Sequence, residues 1–251
     1  MKIALLCPTR ERLGHIKRLK RSIERTVHSI DNIALYIGVD FDDVKTLKEI
    51  QLLCQFNSWV KIIKLQEYGK WPGLGVIWNE LAAVAPEEIF AMVGDDFIFK
   101  TYGWDHKILK EFINGPRDKI LMVHCNDGIH GPGNKYSNSY GLKPGRVLAV
   151  NPFIHRKYYE LNGYYLRNEF KHQFLDTWLD NTFHTIGRKI YRHDIMIQHL
   201  HFSQINIVDN VTLNLRQRSV YNTEKLLFAK MVQDRELEIS RLKEYITKLK
   251  I

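Results

Sequence analysis

The chain has 251 residues, with 37 Lys and Arg against 28 Asp and Glu, a formal net charge of +9. That length supports one large α/β domain, and an apolar share of 45% excludes a chain too polar to build a core. No apolar run approaches membrane-spanning length. Cys7, Cys54 and Cys125 are too far apart for a zinc spacing and odd in number, which argues against a disulfide framework and for a reducing cytoplasm. The basic balance suits a polyanionic partner such as nucleic acid, and it also suits an ordinary basic enzyme.

In chain order, the start Met1-Lys2-Ile3-Ala4-Leu5-Leu6-Cys7-Pro8 is too short in its apolar run for a signal peptide and lacks a cleavage site. Residues 2–7 therefore read as a buried strand that Pro8-Thr9-Arg10 ends. A helix follows over 12–30, with Ile16, Leu19, Ile23 and Val27 on one face and Lys17, Arg18, Lys20, Arg21 and Arg25 on the other. That basic face reads as solvated, with a polyanion contact as the alternative. A second strand over 33–39 ends in Asp40-Phe41-Asp42-Asp43. A second helix over 44–56 and a third strand over 60–65 come next. Gly69-Lys70-Trp71-Pro72-Gly73-Leu74-Gly75 then feeds a helix through Val76, Trp78, Leu81 and Ala82. Backbone N–H groups at such a helix start can meet a phosphate, although the spacing is not that of a P-loop.

The apolar run Ile89-Phe90-Ala91-Met92-Val93 leads into Gly94-Asp95-Asp96. A buried strand ending this way places charge at its carboxyl end, where open α/β sheets bind ligands. Adjacent carboxylates repel each other, and an oxygen-rich pair suits Mg²⁺ or Mn²⁺ rather than zinc. Gly-Asp-Asp is equally good turn chemistry. The β-α-β-α-β-α-β order implies a mostly parallel, doubly wound sheet.

The second half is less regular. A helix is expected over 104–113 and a strand over 120–124, followed by Asn126-Asp127-Gly128 and His130. A Gly-, Asn- and Ser-rich surface loop covers 131–145. A strand over 147–151, a helix from near His155 and a helix over 170–183 follow. Residues 190–191 and 195–202 read as sheet edges. Alternation puts His199 and His201 on one face of the latter, where polar residues are more often exposed than ligating. The last stretch, 224–250, lacks Gly and Pro after a cap at Asn222-Thr223. Phe228, Val232, Ile239, Leu242, Ile246 and Leu249 form a 3-4 seam, broken at Arg235. A lone helix of that length is marginal in water, so the seam needs a partner. The expected arrangement is a domain over 1–221 and a C-terminal helix over 222–251. That helix either joins a homodimer, the favoured reading, or packs on its own domain.

Taken together, these pieces resemble the GT-A nucleotide-sugar glycosyltransferases, family 2-like, of the kind often encoded by bacteriophages. The marks are Cys7-Pro8-Thr9-Arg10, Asp40-Phe41-Asp42, the glycine-rich loop leading to Asn79, Gly94-Asp95-Asp96, Asn126-Asp127-Gly128, Asp176-Thr177-Trp178 and His199-Leu200-His201. Asp95-Asp96 stands where many relatives carry Asp-X-Asp, with Gly94 at the place of a first acid. The resemblance implies a GT-A (Rossmann-like) α/β fold over residues 2–209 and a divalent cation, Mn²⁺ or Mg²⁺, that stabilises the departing diphosphate. It implies Asp96 as metal ligand, with His201 as the later ligand and His199 as its alternative. Thr9, Arg10, Asp40 and Asp95 line the donor site, and Lys70 and Asn79 are further donor candidates, Asn79 by itself reading as structural. Asp127 would meet sugar or acceptor hydroxyls. Asp176 resembles the general base of an inverting transfer, with Glu169 and His172 as neighbours; a retaining transfer needs none.

The expected partners are a nucleotide-sugar donor and an acceptor hydroxyl. The basic charge motivates a hydroxymethylated base in phage DNA. A surface polysaccharide, glycolipid or protein is the alternative acceptor. A nucleotide- or nucleic-acid-binding module without catalysis is the alternative from another class. The expected location is the cytoplasm, that of the host if a phage encodes the chain.

Overall fold

A computed structural model of the chain describes residues 1–130, 146–200 and 221–249. Strand β1, Ile3–Thr9, lies inside the sheet and is covered on both faces. Ile3, Leu5 and Cys7 enter one hydrophobic cluster and Ala4 and Leu6 the other, so its apolar run is continuous rather than alternating. Helix α1, Leu13–Thr26, buries Ile16, Leu19 and Ile23 on the first of these faces. Strand β2, Ile33–Val39, helix α2, Val44–Cys54, and strand β3, Val60–Lys64, follow. Asp43 caps α2 by accepting from the Thr46 N–H, and its other oxygen accepts from the Glu11 N–H. Helix α3, Leu74–Val84, leads to strand β4, Ile89–Met92.

The chain then crosses to the far edge of the sheet as β5, Phe97–Phe99, before helix α4, Trp104–Ile113. The second half supplies β6, Met122–Asn126; β7, Phe153–His155; α5, Lys157–Asn162; α6, Leu175–Thr185; and β8, Lys189–His199. The eight strands run in the order β3-β2-β1-β4-β7-β6-β8-β5. The first four are mutually parallel, β7 is antiparallel to both neighbours, β6 and β8 are parallel, and β5 is antiparallel to β8. The α/β class with a mostly parallel first half is as expected.

Three local expectations change. Residues 147–151 are not a strand, because side chains take the backbone bonds there. Ala149 N–H donates to Asp180, and Asn151 spends its own side chain accepting from Cys125 N–H. The strand comes two residues later, at β7. The helix expected over 170–183 starts only at Leu175, because Phe174 adopts a left-handed backbone (φ 66°) and the N–H groups of residues 171–173 are taken by Glu224. The two expected sheet edges near 190 and 195 are one strand, β8, with a register shift opposite Cys125 and Asn126. The loop expected over 131–145 and the ligand candidate His201 lie outside the described residues.

The tail forms two helices, α7, Tyr221–Lys230, and α8, Val232–Lys248. Met231, Leu242 and Ile246 are buried in the same cluster as Trp178 and Phe183. Glu238 is buried with them, accepting hydrogen bonds from Tyr158, Tyr164 and Trp178. Much of the seam on which a homodimer was expected is therefore covered by the chain itself, while Val232 and Leu249 at its ends stay exposed. Cys7, Cys54 and Cys125 are free and buried. Among the described residues no helix is long and apolar enough to cross a membrane.

Candidate active site

The carboxyl ends of β1, β2 and β4 meet at one crevice. Thr9 closes β1, and its hydroxyl donates to Asp95 (2.8 Å). Arg12, just before α1, reaches the other oxygen of Asp95 at 3.1 Å. Asp95 is buried, and through these two contacts it ties β1 and the start of α1 to the end of β4. Arg12 carried no assignment from sequence; its place before a helix is the only local signal it offers.

Asp96 points the other way. Its carboxylate lies 3.2 Å from His199 Nε2 at the end of β8, and its carbonyl accepts from the Leu200 N–H. His199 thus meets Asp96, while His201 lies outside the described residues. Burial would raise the Asp96 pKa, but the facing His199 and then Arg12 outweigh it and hold the carboxyl below its usual range. His199 is held above its usual range: burial opposes the charge, and Asp96, then Asp127 and Asp176, more than offset it. Gly94 is required here, because a Cβ would stand 2.5 Å from Asp96 Oδ1. The carboxylate of Asp96 thus fills the space that a side chain at 94 would need.

The nucleotide-sized part of the crevice is a cleft of about 510 Å³ lined by Arg10, Asp40, Lys70 and Lys171, with Phe41, Tyr68 and Trp71 as aromatic wall. Arg10 bonds Asp40 at 2.9 Å and engages Asp42 through two nitrogens. The Asp42 contact, absent from the sequence assignment, is the main cause that raises the Arg10 pKa. Asp40 is pushed above its usual range by burial, which Arg10 only partly offsets. Arg10, Asp40 and Lys70, three of the donor candidates, thus line one cleft.

Other expectations part company with the geometry. The Asn79 amide is spent on the segment after α5, donating to Leu166 O and Asn168 and accepting from the N–H groups of Tyr165 and Leu166. The start of α3 does not offer its first N–H to a phosphate, because Leu74 N–H donates to Lys171 O (2.6 Å). The glycines there serve close packing: a Cβ on Gly75 would lie 2.4 Å from Arg167 O. Asp127 is buried and closes its own turn, accepting from Ile129 and His130 N–H and pairing with His130 Nδ1 at 2.5 Å. Glu169 is an exposed partner of Arg167.

Asp176 sits half-buried in the first turn of α6, accepting from its neighbour Thr177. Burial raises its pKa above the usual carboxylate range, and Thr177 and His130 partly counter it. That is the direction a general base needs.

For a divalent cation, Asp96 and His199 offer one oxygen and one nitrogen, a set that suits Mn²⁺. Among the described residues no group of three His, Cys, Asp or Glu side chains could hold a metal ion. Among the described residues, Asp96 and His199 are thus the two side chains that would hold such an ion.

No family model matches the sequence, and neither does any curated protein. Solved structures do. TarS 1–349 from S. aureus in complex with UDP superposes with a TM-score of 0.59 at 16% identity, over 78% of this chain and 59% of that one. The mannosyltransferase PcManGT from Pyrobaculum calidifontis, in complex with GDP-Man and Mn²⁺, gives 0.59 at 13% identity, over 78% and 56%. The chain thus spans less than two thirds of the length of either neighbour. It has the fold of these GT-A-type glycosyltransferases.

Proposed function

We propose that the protein is a metal-dependent glycosyltransferase that moves a sugar from a nucleoside diphosphate donor to an acceptor hydroxyl. The observation that carries this reading is the Asp96–His199 pair, set at the end of β4 beside a nucleotide-sized cleft. Arg10, Lys70 and Lys171 bring positive charge to the cleft, against the negative charge of a diphosphate. The aromatic wall gives a flat surface for a base. Asp96 and His199 would hold the cation, which supplies charge stabilisation to the leaving diphosphate. Asp176 would take the acceptor proton. The solved neighbours bound to UDP, or to GDP-Man and Mn²⁺, favour a donor of this class.

The test is release of nucleoside diphosphate from a panel of nucleotide sugars with and without Mn²⁺. Wild type should hydrolyse at least one donor slowly without acceptor. Asp96→Asn should abolish this while retaining the fold, because a neutral amide is a poor ligand for a hard cation. An Asp96→Asn variant at wild-type rate would remove the metal assignment.

A polyanionic acceptor such as hydroxymethylated DNA is the acceptor reading that one observation favours. Lys17, Arg21 and Arg25 are all exposed at four-residue spacing on α1, forming one basic stripe on the helix that Arg12 anchors at the crevice. Filter binding over a salt series should show steep salt dependence that Lys17→Ala/Arg21→Ala/Arg25→Ala flattens. Salt-insensitive binding would direct the search to polysaccharide, glycolipid or protein acceptors.

A further inference from the structure

We propose that Glu224, on the C-terminal helix α7, is a positioning residue for the crevice. Its carboxylate folds the turn that brings Lys171 to the cleft and starts α6 with Asp176 in its first turn. The catalytic half of this inference rests on the glycosyltransferase reading; the structural half does not.

Glu224 is only 4% exposed. One of its oxygens accepts from Lys171 N–H at 2.7 Å and from His172 N–H at 3.2 Å; the other accepts from Gln173 N–H at 2.7 Å. Three successive backbone donors thus converge on one carboxylate from 51 to 53 residues further along the chain. No local side chain caps α6. The next residue, Phe174, has φ 66°, a backbone that an aromatic residue rarely adopts. It is held from the same helix, since the Phe228 ring stacks on Phe174 with centroids 5.1 Å apart.

What the turn carries makes this contact more than a tether. Lys171 lines the cleft, and its carbonyl takes the first N–H of α3. The Lys171 backbone also packs so closely on Gly73 that a Cβ there would meet it at 2.6 Å. Two residues past Phe174 comes Asp176. Attachment of the tail does not need Glu224, because Leu242, Ile246 and Glu238 already bury α8 against α6. Among the described residues, the Glu224 carboxylate bonds go to the turn.

The experiment compares Glu224→Ala, Glu224→Gln and Leu242→Ala in the full chain. Hydrogen exchange is followed in peptides spanning 170–176, alongside Tm and donor kcat and KM with Mn²⁺. Glu224→Ala should speed exchange in that turn by about tenfold or more, since its amides lose their acceptor. Its kcat should fall about 10- to 100-fold, the scale of a misplaced catalytic group. Donor KM should rise too, because Lys171 moves with the turn. Leu242→Ala, which removes core packing, should lower Tm without either change. Glu224→Gln keeps one carboxamide oxygen and should fall between; it carries the same test if Glu224→Ala does not fold. Unchanged exchange in 170–176 for both Glu224 variants overturns the proposal. So does an equal loss of kcat in Leu242→Ala. A wild type that turns over no donor would instead defeat the glycosyltransferase reading, and the exchange data would still decide the role of Glu224.

Discussion

Glu238→Ala is the most direct probe of how the tail is held. Glu238 is 2% exposed, and its carboxylate accepts from the Tyr158 hydroxyl at 2.7 Å and the Trp178 indole at 3.0 Å. Tyr164 also donates to it, but Tyr164 is only half-buried, so water can accept from its hydroxyl when the acid is lost. Thr182, at 3.4 Å, adds little. The full weight therefore falls on Tyr158 and Trp178. Each buried donor left without an acceptor costs about 1–3 kcal/mol. Against the resulting ~2–6 kcal/mol stands the desolvation cost of the carboxylate, which the variant no longer carries. The expected net loss is about 2–4 kcal/mol on these terms. Glu238→Gln, which keeps one acceptor oxygen, should lose about half as much. Urea unfolding followed by tryptophan fluorescence measures both, with Leu237→Ala as reference. Leu237 is 66% exposed, so its truncation should stay within about 0.5 kcal/mol of wild type. A Glu238→Ala variant as stable as Leu237→Ala would refute the reasoning.

Asp176→Asn should cut turnover by about a hundredfold or more and leave donor affinity unchanged, read from single-turnover rates and nucleotide titration. Because burial raises the Asp176 pKa, turnover should fall with pH while still above the usual carboxylate range; a profile flat there would remove Asp176 as base. His155 is held near pKa 4 by burial and then Lys119, against the usual 6.5, and its Nδ1 accepts from Lys157 N–H. A depressed folded pKa makes the unfolded chain take the proton first, so stability should drop as pH falls from 6.5 towards 4. His155→Asn should flatten that drop, and urea midpoints at neutral and acid pH that run parallel to wild type would contradict this. Gly75→Ala puts a Cβ 2.4 Å from Arg167 O and should cost about 1–3 kcal/mol by overpacking, as measured by the same unfolding assay; a neutral substitution would mean the α3 start shifts freely.

The parallel half was legible from sequence because each of its elements is set by local pattern. The β1 run and the α1 stripe of Ile16, Leu19 and Ile23 fall within a few residues of the structure they form. Asp96 and Asp40 were legible for a related reason: a strand that runs out of apolar residues must put its next side chains at the sheet edge. The second half resists this kind of reading. Residues 147–151 have strand composition, yet Asp180 and Asn151 replace the ladder bonds. Asn79 and Asp127 match donor and acceptor marks in order, yet each is consumed by a nearby loop, which only the partners' positions reveal.

The tail shows why periodicity located a helix but not its partner. A 3-4 seam states that one face must be buried and is silent on what buries it. Here the informative residues were the two acids that interrupt the apolar logic. Glu224 and Glu238 are both nearly fully buried, which for a carboxylate demands dedicated donors. An acid on a solvated flank would have been exposed. Instead both face donors supplied by residues 158–182: backbone N–H groups for Glu224, and hydroxyls and an indole for Glu238. That same segment holds Lys171 and Asp176. The last two helices are therefore joined by hydrogen bonds, and not only by apolar packing, to the wall of the crevice. On this geometry, loss of the tail should disturb the turn at 171–174 and the start of α6 before it disturbs the parallel sheet, because α1, α2 and one whole face of β1 to β4 pack in a hydrophobic cluster that contains no tail residue.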